Sequence, residues 1–225
     1  MTVHDVARVL PGIEELRDHC RGLAVLEAVL SPEWEDRYYS FDARWSENEQ
    51  MASMRDGQGD AYAIVFSPAG AYIRGFSHES PMSPWASMDK DPKPWPGVLD
   101  SVPDLFRPYV EEPAFSDEDG VALVTACLWR EPTDTAWRAG TIDFPNWGDG
   151  EPDGSERIFE LLVDRSAEAY AEWASDYYET PVDLAAVRHV LALRPLTPEV
   201  VAALNPEVAP ADLAEDIAEI GYPTA

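Results

Sequence analysis

His78 and Glu79 lie side by side in RGFSHESPMSPW, residues 74 to 85, with Ser77, Ser80 and Ser83 around them. An imidazole titrates near neutrality, so a carboxylate or hydroxyl beside it makes a proton relay suited to hydrolysis. Asp60 and Arg55, from RDGQGDAY upstream, complete the groups on which a small hydrolase or metal-dependent enzyme centred on His78 would draw. Stronger markers of that chemistry are missing. None of the three serines sits in a G-x-S-x-G elbow. His4, His19, His78 and His189 show no i, i+4 zinc spacing, and His19 and His189 fall in helical patterns as structural histidines. Successive side chains of a strand point to opposite faces, so His78 and Glu79 converge only where the backbone turns. The stretch reads first as a polar corner held by its prolines and Trp85, with catalysis at His78 as the competing reading.

A second group of oxygen ligands occupies DGEPDGSERIFE, residues 149 to 160. Asp149, Glu151, Asp153 and Glu160 fall on positions 1, 3, 5 and 12 of a calcium loop, with Gly154 on position 6. Pro152 inside the loop, Glu156 in the place of an apolar residue, and the proline-broken TIDFPNWG in place of an entering helix argue that the match is accidental. The segment reads as a solvated acidic hairpin loop, with a weak Ca²⁺ site as the alternative. Trp147, Asp149, Glu151 and Asp153 would also suit a protein contact, an aromatic anchor within a charged rim. No cofactor is expected. Gly57 and Gly59 do not make a phosphate cradle, because they lead into a strand, and Asp56 and Asp60 would repel the anion.

The charge balance narrows the partners. The chain has 43 acids against 16 bases, a net charge of −27, and residues 109 to 225 alone carry 25 acids against 6 bases. Such a field repels nucleic acid and anionic lipid, which need Lys and Arg against phosphate. It attracts a basic protein and speeds association at low salt. The expected partner is therefore a basic protein, with no nucleic acid and no membrane. His4, Asp5 and Arg8 interrupt the first residues before a signal-peptide core could form, and no apolar run approaches the roughly 18 residues of a membrane span. The chain reads as cytosolic, with Cys20 and Cys127 as buried thiols among apolar neighbours.

These groups need elements to hold them. With 225 residues, 45% hydrophobic, the chain can bury one substantial core. Ile13, Leu16, Cys20, Leu23, Leu26 and Leu30 make the stripe of an amphipathic helix that stops at Ser31-Pro32. DRYYSFDARW alternates by two, and AYAIVF and AYIRGF flank the turn SPAG, which predicts a β-hairpin over 61–76. Eight prolines between Pro81 and Pro113 exclude a long regular element there, with a short helix near VLDSVPDLF. VALVTACLWR predicts a buried strand, and AWRAGTIDF with RIFELLV a further strand pair. After residue 164 the chain is helical, and Tyr170, Trp173 and Tyr177 fall on one helix face as core residues. The expected fold class is α+β: a mainly antiparallel or mixed sheet with an N-terminal helix and a helical C-terminal part. It is read as one domain over 1–225, with residues 1–164 as helix-plus-sheet core and 165–225 as the helical part.

The block YYSFDARW…EQMASMRDGQGDAYAIVF…GAYIRGFSHESPMSP, about 45 residues, is similar to a family of uncharacterised bacterial cytoplasmic proteins with no assigned activity. The resemblance implies a bacterial origin and carries over no catalytic residue. Size, acidity and α+β make-up also resemble those of immunity proteins that neutralise toxins, a likeness of class without a shared motif.

Overall fold

The computed structural model describes residues 1–86, 91–146, 148 and 150–224. Its helices are α1 Val3–Val9, α2 Ile13–Leu30, α3 Arg107–Val110, α4 Ser155–Ile158, α5 Glu160–Val163, α6 Ala167–Tyr177, α7 Leu184–Leu191, α8 Pro198–Leu204 and α9 Ala214–Ile220. The strands are β1 Tyr39–Ser46, β2 Glu49–Arg55, β3 Ala61–Ser67, β4 Gly70–Phe76, β5 Ala126–Arg130 and β6 Arg138–Ala139, in the order β1-β2-β3-β4-β5-β6. This is the expected α+β class. None of the described helices is long and apolar enough to cross a membrane. The chain forms two compact units, one of residues 1–13 and 53–160, the other of 14–52 and 161–225.

In the first unit the hairpin forms where alternation and SPAG place it. β3 and β4 pair antiparallel from Ala61↔Phe76 to Ser67↔Gly70, and Gly70 takes φ +127°, a conformation that L side chains rarely adopt. β4 is buried along its whole length. β5 pairs on its other edge, Ala71↔Arg130 to Gly75↔Ala126. It is shorter than VALVTACLWR predicts, because residues 115–123 form their own turn. The Leu123 N–H donates to the Phe115 carbonyl at 3.1 Å, and Ser116 bridges Ala122.

RIFELLV is not a strand. It forms the helical turns α4 and α5, and AWRAGTIDF contributes only the two residues of β6. Short apolar runs fit a strand and a buried helix equally well on periodicity, and here local backbone decides. Asp153 accepts the Ser155 N–H at 3.1 Å, and Gly154 at φ +74° starts the turn. Gly75 on β4 then leaves room for α4: a Cβ there would lie 2.4 Å from Ile158 and 2.6 Å from Phe159. The helix α1 precedes the first helix that the apolar periodicity predicts. Its signal is the Thr2–Asp5 pair, in which Asp5 accepts both the backbone N–H and the hydroxyl of Thr2.

In the second unit α2 spans the residues its apolar stripe predicts, with Leu16, Leu23 and Leu26 at 0–1% exposure. The tail is helical as expected. Ser166, Asp183 and Thr197 accept the first free N–H groups of α6, α7 and α8, and Pro198 opens α8. Tyr222 ties the end of the chain down, its hydroxyl lying 2.9 Å from the Val190 carbonyl and 2.8 Å from that of Arg194.

Gly154 combines a left-handed backbone with a Cβ position 2.2 Å from Ser77 Cβ, whereas nothing lies within 4 Å of a Cβ on Gly12. Gly154→Ala should therefore cost about 2–4 kcal/mol, and Gly12→Ala less than about 1. Chemical denaturation of both variants checks this, and equal midpoints would refute it.

Candidate functional sites

The turn RDGQGD delivers Asp60 to the start of β3, and the end of β4 delivers Ser77 and His78 across from it. The Asp56 carboxylate holds that turn by accepting the N–H groups of Gln58 and Asp60 at 2.8 and 2.9 Å. Asp60 is 2% exposed and gathers four donors. Its Oδ1 accepts the His78 backbone N–H at 2.9 Å and lies 2.7 Å from His78 Nδ1. Its Oδ2 pairs with the Arg157 guanidinium and lies 3.5 Å from Ser77 Oγ. A carboxylate at Nδ1 places the proton there and leaves Nε2 as the basic nitrogen. The imidazole is 38% exposed, and no described residue engages Nε2. Gly59 makes the approach possible, since a Cβ on it would stand 3.1 Å from the ring.

Of the four residues assembled for catalysis, the structure joins Asp60 and His78. Glu79 is exposed on the turn and Arg55 is exposed at the end of β2. The cation of the cluster is instead Arg157, 97 positions from Asp60 in sequence, brought in by α4. The serines are structural. Ser77 N–H donates to Thr125 Oγ1 at 3.1 Å, Ser80 Oγ donates to the Pro152 carbonyl at 2.6 Å, and Ser83 is buried.

The acidic segment 149–160 differs from a solvated hairpin loop. Trp147 and Asp149 lie outside the described residues. Asp153 is fully buried, its Oδ2 accepting the Val3 N–H at 2.8 Å, and burial raises its pKa against those hydrogen bonds. It is therefore closed to a partner's side chains. Glu151 is half-buried and accepts the Glu156 N–H, while Glu160 is exposed. Among the described residues no three His, Cys, Asp or Glu side chains group as metal ligands.

A different surface emerges in the second unit. Glu27, 0% exposed on α2, accepts the Tyr38 N–H at 2.8 Å and the hydroxyls of Tyr170 and Tyr178, each at 2.9 Å. Burial raises its pKa and the three donors oppose the rise. That carboxylate fixes two segments so that their aromatic rings meet. Trp173 and Tyr177 stack at 5.2 Å and 11°, and Tyr38 stands edge-on to both, at 4.8 and 5.3 Å. The stripe read as core is core only at Tyr170. Tyr177 is 46% exposed, as is Trp34 at 52% in the turn before Tyr38. Exposed carboxylates flank these rings in the chain: Glu33, Glu35 and Asp36 on one segment, Glu172, Asp176 and Glu179 on the other. The nearby base, Arg37, is buried, held by both oxygens of Asp216 and by the Ser31 and Pro32 carbonyls.

His19 and His189 lie in helices as expected and donate to the carbonyls of Leu161 and Pro195. Cys20 and Cys127 are buried free thiols, and burial pushes Cys127 up to about 12. No protein-family model, curated protein or solved structure matches the chain.

Burial pushes His19 down to about 4. The unfolded chain binds the proton near 6.5, so acid favours unfolding. The second unit should lose on the order of 3 kcal/mol through this group as pH falls from about 6.5 to about 4. Glu27 acts with the opposite sign, since its raised pKa lets the folded state keep a proton that the unfolded chain has released. His19→Gln keeps a donor for the Leu161 carbonyl and should flatten the acid limb. Urea midpoints from pH 7 to pH 4 check this, and parallel curves for the two proteins would contradict it.

Proposed function

We propose that this chain is a bacterial, cytoplasmic, non-enzymatic acidic module that captures a basic protein, in the manner of immunity proteins. The observation that carries the reading is the aromatic cluster of Tyr38, Trp173 and Tyr177, with the exposed Trp34 four positions before Tyr38 in the chain. Aromatic rings rimmed by charge are a common form of interface anchor, and a guanidinium or ammonium gains from the ring face and the surrounding carboxylates together. The contact surface thus moves from Trp147, Asp149, Glu151 and Asp153 to residues 33–38 and 172–179. The net charge of −27 supports the choice of a cationic protein over nucleic acid or anionic lipid. Two buried free thiols fit a reducing compartment.

The test uses a deca-arginine peptide as probe, followed by calorimetry. Affinity should fall at least about tenfold between 50 and 300 mM NaCl, and Tyr177→Ala or Trp34→Ala should each weaken it by about tenfold at fixed salt. Neutralising Glu118 and Asp119, exposed acids of the other unit, serves as the control for net charge. Equal losses from that control and from the aromatic variants would reduce the effect to charge alone and refute the assigned face.

One observation favours a second reading, a small hydrolase centred on His78: Asp60 at Nδ1 and an Nε2 that no described residue engages are the arrangement of a general base acting on water. On that reading the protein should hydrolyse p-nitrophenyl acetate several-fold faster than an equal concentration of imidazole, and His78→Ala should abolish the difference without shifting Tm. A rate at or below that of imidazole, or a loss explained by unfolding, leaves His78 as the organiser of the turn.

A further inference from the structure

Arg74 stands on β4 at 8% exposure, beside Tyr72 on the same face of the strand. Arg37, buried to 6%, shows how this chain ordinarily treats such a group, with a bidentate carboxylate and two carbonyls. Arg74 is treated differently. Among the described residues no carboxylate pairs with it, although the chain has 43 acids. Its Nη2 donates to the Leu123 carbonyl, the Phe115 ring lies 4.8 Å from its guanidinium carbon, and its buried Nε finds no acceptor among the described residues. Burial pushes its pKa down only to about 10, so the group is a cation at neutral pH.

A buried cation without a counter-charge is strongly unfavourable, and one carbonyl with one ring offsets only part of that. Tyr72 carries a buried hydroxyl that is hydrogen-bonded to the Cys127 thiol. Directly across the ladder from Arg74 is Cys127, a thiol that burial keeps protonated. Phe115 and Leu123, which touch the guanidinium, come from the two ends of one turn, joined by the Leu123 N–H to Phe115 carbonyl bond at 3.1 Å.

We propose that Arg74 is the centre of an oxyanion-binding site in the first unit. It takes a carboxylate or phosphoryl group at the unsatisfied Nε edge of the guanidinium, with residues 115–123 as its cover. A guanidinium fork matches the paired oxygens of either group. The negative field of the whole chain opposes anions at long range, so affinity comes from these short contacts. The site is independent of the aromatic face, and Tyr177→Ala leaves it intact.

The full chain is titrated with inorganic phosphate and, separately, with acetate, at ionic strength held constant with sodium chloride, and Tm is recorded. At least one anion should raise Tm saturably, by about 2–4 °C, and the one that acts identifies phosphoryl or carboxylate as the source. Arg74→Met, which replaces an unpaired buried charge with an apolar side chain of similar length, should match or exceed the wild-type Tm without anion and lose the response. Arg74→Lys, which keeps the charge but not the fork, should weaken the apparent affinity by about tenfold or more. No response of the wild-type protein to either anion overturns the proposal, as does a response that survives in Arg74→Met.

Discussion

A carboxylate taken out of water must find donors, and in this chain that requirement organises both units. Three acids are fully or almost fully buried among the described residues: Glu27, Asp60 and Asp153. Each collects donors from segments far apart in sequence. Glu27 gathers Tyr38, Tyr170 and Tyr178; Asp60 gathers His78 and Arg157; Asp153 gathers Val3 and Ser155. Such a centre has strict geometry, because removing one donor leaves a charge unsatisfied. The remaining described acids keep contact with water and shape the field around the protein, and several of them, such as Asp5, Asp56 and Asp183, also accept backbone N–H groups.

What could be read in advance follows from which forces are local. The α2 stripe, the 61–76 hairpin and the helices after residue 164 were legible because periodicity, SPAG and capping residues act over a few positions. RIFELLV predicts a strand on periodicity, although Ile158, Phe159, Leu161 and Leu162 suit either element. The deciding facts, Gly154 at positive φ and the absent Cβ of Gly75, matter only once α4 meets β4. The acidic neighbours of Asp153 point to solvent, yet its carboxylate accepts the Val3 N–H, 150 positions away.

The candidate sites divide in the same way. Asp60 and His78 lie within one hairpin, so their meeting was accessible to sequence reasoning, whereas Arg157 enters through a helix that periodicity had not placed. Tyr170, Trp173 and Tyr177 were correctly set on one face, but helical spacing says nothing of where the buried part of that face ends. Tyr38 edge-on to Trp173 and Tyr177 marks that boundary, and the alternation of DRYYSFDARW gave no sign of it. Nothing in the sequence around Arg74 marks it, and its contacts alone set it apart.

Both units are discontinuous in the chain, and this has a bearing on biosynthesis. Residues 14–52 leave the ribosome well before residues 161–225, with which they form one compact unit. In that interval Leu16, Leu23 and Leu26 of α2 present a sticky stripe to the cell, and Glu27 awaits the phenols of Tyr170 and Tyr178. The stripe stays uncovered until residues 161–225 emerge, so slower synthesis after residue 52 lengthens the exposure.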